Sequence, residues 1–212
     1  MKTKYLIGVW CLVSVGVACG GKKSSQSPTP QPTAPLPTAG LAGQRVALTP
    51  LALVAAEDTL HWDALIGDRR TTLDKCDSII TTLLAARAPE VTWVGPSELR
   101  HIARRAPGIA ADPDQMGTPF LRAANVVVVP DPLRYQLRTL MGLVGGRYAL
   151  VPAGLVFRRP TDGSTGATAE LSVVMIDSRV GRVGWRTIAR GDGADAWTAL
   201  TRAVKSLTPG LP

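Results

Sequence analysis

Three extended segments near the carboxyl end leave this chain few folds to choose from. Arg147 to Phe157, Thr168 to Ile176 and Arg182 to Arg190 are rich in β-branched and small apolar residues, and short polar connections separate them. The first connection is Thr161-Asp162-Gly163-Ser164-Thr165-Gly166 and the second is Asp177-Ser178-Arg179-Val180-Gly181, and both carry the aspartate and glycine that tight turns use. Connections this short join antiparallel neighbours, so consecutive hairpins are expected. Such a ribbon needs other elements packed on it to bury its apolar face.

The preceding residues supply those elements. Gln44 to Leu53 reads as a strand, with Pro50 pointing to an edge or a bulge. Thr71 to Arg87 places Leu73, Cys76, Ile80, Leu83 and Leu84 at helical spacing, with Asp74, Lys75 and Asp77 expected on the solvent side. Ala88-Pro89 stops that helix, Val91 to Val94 alternates as a short strand, and Gly95-Pro96-Ser97-Glu98 opens a second helix that runs through Arg105. Pro107 to Pro119 reads as a loop and Val126 to Val129 as a buried strand. Asp131 is expected to cap a helix with Pro132 at its first position and Leu133, Leu137, Leu140, Met141 and Val144 on its apolar stripe, ending at Gly145-Gly146. A last helix, Ala194 to Leu207, carries Trp197, Leu200, Val204 and Leu207 on one face, and Asp192 and Asp195 stand where carboxylates complement its dipole. The order β-α-β-α … α-β-β-β-α predicts an α/β fold, helices packed on a mixed β-sheet, in a single domain from 44 to 208.

The amino end is of a different kind. Lys2 and Lys4 precede an uncharged stretch of 13 residues, Tyr5 to Val17, which falls short of the roughly 18 that a permanent span needs. Val17-Ala18-Cys19 then places a cysteine directly after small residues, the pattern of a lipoprotein signal. Residues 1–18 are therefore expected to be removed, with Cys19 lipidated and anchored in the bilayer. Gly16 departs from the aliphatic residue usual three places before the cysteine, and ordinary signal-peptidase cleavage beside the same small residues is the alternative. Gly20 stands where an inner-membrane retention signal would have aspartate, which points to the outer membrane. Residues 19–43, with Pro28, Pro30, Pro32, Pro35 and Pro37 among serine, threonine and alanine, are expected to form a disordered tether that contributes nothing to the core.

Removing Lys2 and Lys4 lowers the formal charge from +8 to +6. The arginines are scattered instead of being gathered with aromatics, and export argues against nucleic acid as a partner. With Cys11 in the signal and Cys19 lipidated, Cys76 is alone, so no internal disulfide is expected. It is either an intermolecular thiol or a small buried residue, and its place on a helical stripe favours burial.

Catalytic patterns are sparse. His61 and His101 are the only histidines. Asp58, His61 and Asp63 would make a weak metal cluster, although an acidic loop with one histidine reads more simply as surface. Asp112-Pro113-Asp114-Gln115-Met116-Gly117 opens like a calcium loop but puts Met116 and Ala123 where oxygen ligands are needed. Gly142 to Gly146 lacks the lysine of a phosphate-binding loop, and no nucleophile elbow occurs. No catalytic residue, cofactor or metal is expected. Two basic clusters are candidates for binding a partner: Arg100 and Arg104, with His101 and Arg105, on one helix, and Arg134 with Arg138 on another. Solvated helix faces explain them as well.

The segment from Val173 to Trp185, an apolar strand, Asp177, a turn, Gly181 and a strand ending in tryptophan, has Val183 and Trp185 expected on one face. Followed by a terminal helix, it resembles the envelope lipoproteins related to the curli-secretion component, the penicillin-binding-protein activator lipoprotein and the TolB amino-terminal domain. Arg45-Val46-Ala47-Leu48-Thr49-Pro50 and Arg147-Tyr148-Ala149-Leu150-Val151-Pro152 fit the same pattern. The resemblance implies a membrane-tethered periplasmic domain that binds another envelope protein and assists assembly, secretion or cell-wall synthesis, with no active site to carry over. An envelope hydrolase with an unrecognised site and an oligomeric secretion component are the alternatives.

Overall fold

The computed structural model describes residues 33–62, 67–160 and 165–209. The signal stretch, Cys19 and the chain through residue 32 lie outside the described residues, as do Asp63 and the tip of the first hairpin connection. Among the described residues no helix is long and apolar enough to cross a membrane.

One mixed sheet organises the domain. Its strands are β1 (Arg45–Leu48), β2 (Val54–Ala56), β3 (Thr92–Val94), β4 (Tyr148–Arg158), β5 (Ala167–Asp177) and β6 (Arg182–Gly193). The order is β3-β1-β4-β5-β6, with β2 also paired to β4. β3, β1 and β4 run parallel, and β4, β5 and β6 form the two expected antiparallel pairs. The expected strand from Gln44 to Leu53 is split. β1 pairs with Tyr148 to Leu150 and β2 with Leu155 to Phe157, while Pro50, which has no amide hydrogen to donate, stands in the interruption between them.

Among the described residues four helices cover both faces. α1 (Arg69–Arg87) and α4 (Ala196–Ser206) lie on one side, α2 (Pro96–Arg105) and α3 (Leu133–Val144) on the other. Cys76, Ile80 and Leu84 of α1 and Leu200 and Val204 of α4 meet Val46, Leu48, Leu150, Leu171 and Phe157 from the sheet. Leu99 of α2 and Leu137, Leu140, Met141 and Val144 of α3 meet Ala47, Ala149, Val151, Val174 and Ile176. Cys76 is fully buried, and burial pushes its thiol up to about 12, so it behaves as a small apolar residue. Asp195 caps α4 by accepting from the amides of Trp197 and Thr198, whereas Asp192 instead accepts from Thr168 Oγ1 on β5. Gly191 lets α4 lie directly on β6, since a Cβ there would come within 2.2 Å of the Ala203 nitrogen.

Several expectations are corrected. Val183 and Trp185 face opposite layers, because a bulge between Met175 and Ile176 pairs Met175 with Trp185 but Ile176 with Val183, leaving Gly184 as the extra residue. Val126 to Val129 is not a buried strand. Val127 and Val128 are half exposed, only Val129 is buried, and the segment makes a single bridge to Arg182 at the edge of β6. Asp131 does not cap α3; it pairs with Arg134 at 3.0 Å, and the helix begins after Pro132 without a side-chain cap.

The domain also starts earlier than composition implied. Leu36 and Leu41 are 5 % and 2 % exposed and belong to the core beside α4. The Leu36 amide donates to the Leu207 carbonyl at 2.8 Å, that of Ala34 to Thr187 Oγ1 at 2.8 Å, and that of Gly43 to the Glu90 carbonyl at 2.8 Å. The described residues form one compact unit. Proline content concealed this, since two leucines among prolines suffice to strap the segment down. Burial of a leucine contributes about 1.5–3 kcal/mol. A chain beginning at residue 44 should therefore unfold at clearly lower urea than one beginning at residue 33, by roughly 3–6 kcal/mol if both leucines count in full. Equal midpoints would return residues 33–43 to the tether.

Candidate interaction surface

Two basic clusters were expected from the sequence, and the structure treats them differently. Arg100 on α2 is drawn inward. Its guanidinium donates to Asp114 at 2.8 and 2.9 Å, reaches Asp77 of α1 at 2.9 Å and lies 3.3 Å from Asp74. Asp77, expected on the solvent side, is 4 % exposed and accepts from the Leu51 amide at 2.8 Å through its other oxygen. Arg100 thus ties α1, α2, the β1–β2 connection and the loop before α3 together. Arg104 and Arg105 remain exposed.

Burial pushes the Asp77 carboxyl up to about 6 despite its bonds to Leu51 and Arg100. Burial would raise Asp114 too, but the bonds and charges of Arg100 and Arg70 outweigh it and hold that carboxyl below its ordinary value. A carboxyl that binds its proton more tightly when folded favours folding in acid, and that contribution is lost as pH rises through about 6. Replacing Arg100 with methionine leaves the buried Asp77 without a cation and Asp114 with Arg70 alone, and should cost about 3–5 kcal/mol at neutral pH. The deficit should widen from about pH 5 to pH 8 in denaturant titrations, because both carboxyls lose the cation that favours their charged form. A deficit that shrinks over that range would contradict the arrangement.

Arg134 and Arg138, by contrast, face a concavity between α3 and the β5–β6 turn. Asp131, Arg134, Tyr135, Arg138, Ser178, Arg179 and Val180 line one part of about 410 Å³. A second part of about 470 Å³ continues past the end of α3 to Arg45 and Arg147, and Arg138, Ser178 and Arg179 border both. The helix presents Arg134 and Arg138 one turn apart, as their spacing required. The turn is fixed by Asp177, which accepts from the Arg179 amide at 3.0 Å, and by Gly181 at φ 66°. A Cβ at Gly181 would come within 2.3 Å of Arg134 Cδ, so this glycine also admits the arginine stem.

Charge here is uneven. Arg134 is paired with Asp131 at 3.0 Å, and Arg147 with Asp177 at 2.8 Å. That hydrogen bond and the Arg179 amide hold the Asp177 carboxyl below its usual range. Arg45 donates to the Val144 carbonyl at 3.2 Å. Neither the Arg138 nor the Arg179 guanidinium meets a carboxylate among the described residues. Tyr135 and Val180, 67 % and 57 % exposed, stand beside them. Arg45, Arg147 and Arg179 were invisible as a group in the sequence, because β1, β4 and the β5–β6 turn bring them to one end of the sheet from distant positions.

The other motifs do not assemble. Asp58 opens a short 3₁₀ turn ending at His61, whose φ is 53°, and Asp63 lies outside the described residues. Among the described residues no three His, Cys, Asp or Glu side chains gather as metal ligands. Asp112 accepts from the Asp114 amide, and Asp114 is held by Arg100.

Fold and surface together define an α/β domain with a basic concavity at one end of a mixed sheet. No protein-family model matches the sequence, and no curated protein matches it. Among solved structures, the chain is similar to the LpoB C-terminal domain from Salmonella enterica, with 14 % identity and a TM-score of 0.38, over 72 % of this chain and 84 % of that one. It is similar to lipoprotein GNA1162 from Neisseria meningitidis at 12 % identity and a TM-score of 0.35, over 71 % of this chain and 81 % of that one. It is similar also to the PelC dodecamer from Paraburkholderia phytofirmans at 16 % identity and a TM-score of 0.38, over 86 % of this chain and 96 % of that one. One of these neighbours is named as a lipoprotein.

Proposed function

We propose that the chain is a lipid-anchored cell-envelope protein whose periplasmic domain binds another envelope protein through the arginine-lined concavity, and assists assembly, secretion or cell-wall synthesis without catalysing a reaction. One observation carries the surface: the unpaired, exposed Arg138 and Arg179 stand beside exposed Tyr135 and Val180. Arginine and tyrosine are the residue types that dominate binding energy at protein interfaces. The anchor rests on Val17-Ala18-Cys19, with the thiol of Cys19 as the acceptor of the lipid, and on Gly20 for the outer membrane. On this reading residues 20–32 act as the tether, long enough to hold the domain about 40 Å from the bilayer at about 3 Å per residue.

The double substitution Arg138→Glu with Arg179→Glu should abolish the crosslink to a partner formed in cells by a photoreactive residue at position 135. Exposed substitutions of this kind change stability by only about 0.5 kcal/mol, so the domain should stay folded. An unchanged crosslink would remove the concavity from binding. Cys19→Ala should end lipid labelling and release a soluble domain with the unfolding midpoint of the parent, since the core begins at Leu36. Continued labelling would favour another acceptor.

A further inference from the structure

We propose that the concavity receives an extended, acidic segment of the partner protein, with one carboxylate held between the Arg138 and Arg179 guanidiniums and an apolar side chain seated against Tyr135 and Val180. This rests on the reading of the concavity as a protein-binding surface and names the chemistry of its occupant.

Charge complementarity carries the inference. Five arginines and a single carboxylate, Asp131, line the two joined parts. Arg134 and Arg147 are already neutralised by Asp131 and Asp177, which fixes them in place and leaves the surplus charge on Arg138, Arg179 and Arg45, the last tied to the Val144 carbonyl. A guanidinium presents a fixed fork of donors that matches a carboxylate, and two forks from different elements define a direction as well as a charge. The parts meet at Arg138, Ser178 and Arg179, so the space runs as a trough from Tyr135 to Arg147. A trough suits an extended chain whose side chains alternate between a charged and an apolar contact. A flat bilayer surface cannot enter a recess between a helix and a turn, which favours peptide over membrane.

The test uses the full lipidated chain in non-ionic detergent and a fluorescent octapeptide of alternating glutamate and leucine, read by anisotropy. The acidic peptide should bind, and an alternating lysine and leucine peptide should not. Arg138→Ala with Arg179→Ala should weaken binding about a hundredfold, since hydrogen bonds to charged groups contribute about 1.5–3 kcal/mol each. Arg202→Ala with Lys205→Ala removes the same charge elsewhere on the surface and should leave binding unchanged. Equal loss in both double variants, or binding by the lysine peptide, would overturn the proposal. Displacement of the peptide by vesicles of anionic phospholipid, but not by neutral ones, would assign the recess to a lipid headgroup and overturn it as well. The crosslink at position 135 reports separately on whether any protein sits there, so its survival beside a failed peptide experiment would discard only the acidic occupant.

Discussion

The fold depends on β4 being paired along both of its edges. One edge takes β1 and β2 in parallel, the other takes β5 antiparallel, and an irregularity between Pro152 and Gly154 lets a single strand serve both. Before it, Leu150 faces α1 and α4 while Ala149 and Val151 face α2 and α3. After it, Leu155 and Phe157 return to the α1 and α4 side. A strand buried on both faces must be apolar almost throughout, and β4 is. Its first residues also set the end of the sheet where Arg147 stands, so the concavity inherits its position from this strand.

Much of this was legible because it is periodic. The stripes of α1, α3 and α4 and the three carboxyl-terminal strands follow from spacing alone, and their bounds fall within a few residues of those expected. What escaped was set by single residues acting against the local period. Gly184 adds one residue to β6 and turns Val183 away from Trp185. Asp77 sits on the inward side of α1 although charged, because Arg100 and the Leu51 amide satisfy it there, and neither partner lies near it in sequence. Val127 and Val128 look like core by composition, yet the segment reaches the sheet only at its edge.

The surface was half legible. Arg134 and Arg138 share a helix, so their adjacency is a matter of spacing. Arg179 belongs to a turn, Arg45 opens β1 and Arg147 immediately precedes β4, and the neighbourhood of those two strands is a product of topology. Arg100 shows the converse, for a cation on a short helix is the hub of a cluster of three aspartates, two of them brought from α1 and one from the loop before α3. Spacing within one element reports which side chains are neighbours there, and it is silent on what the next element brings.

The strap at Thr33 and Ala34 has one more consequence. β6 is the edge of the sheet, and an uncovered edge strand is a template on which another chain can add. Thr33 Oγ1 accepts from the Arg190 amide at 3.3 Å and faces the Ile188 carbonyl at 3.4 Å, while Val127 to Val129 cover the strand near Gly181. The same few residues that begin the domain therefore also close its open side. The segment that opens the described chain thus stands guard on the edge where another chain could add.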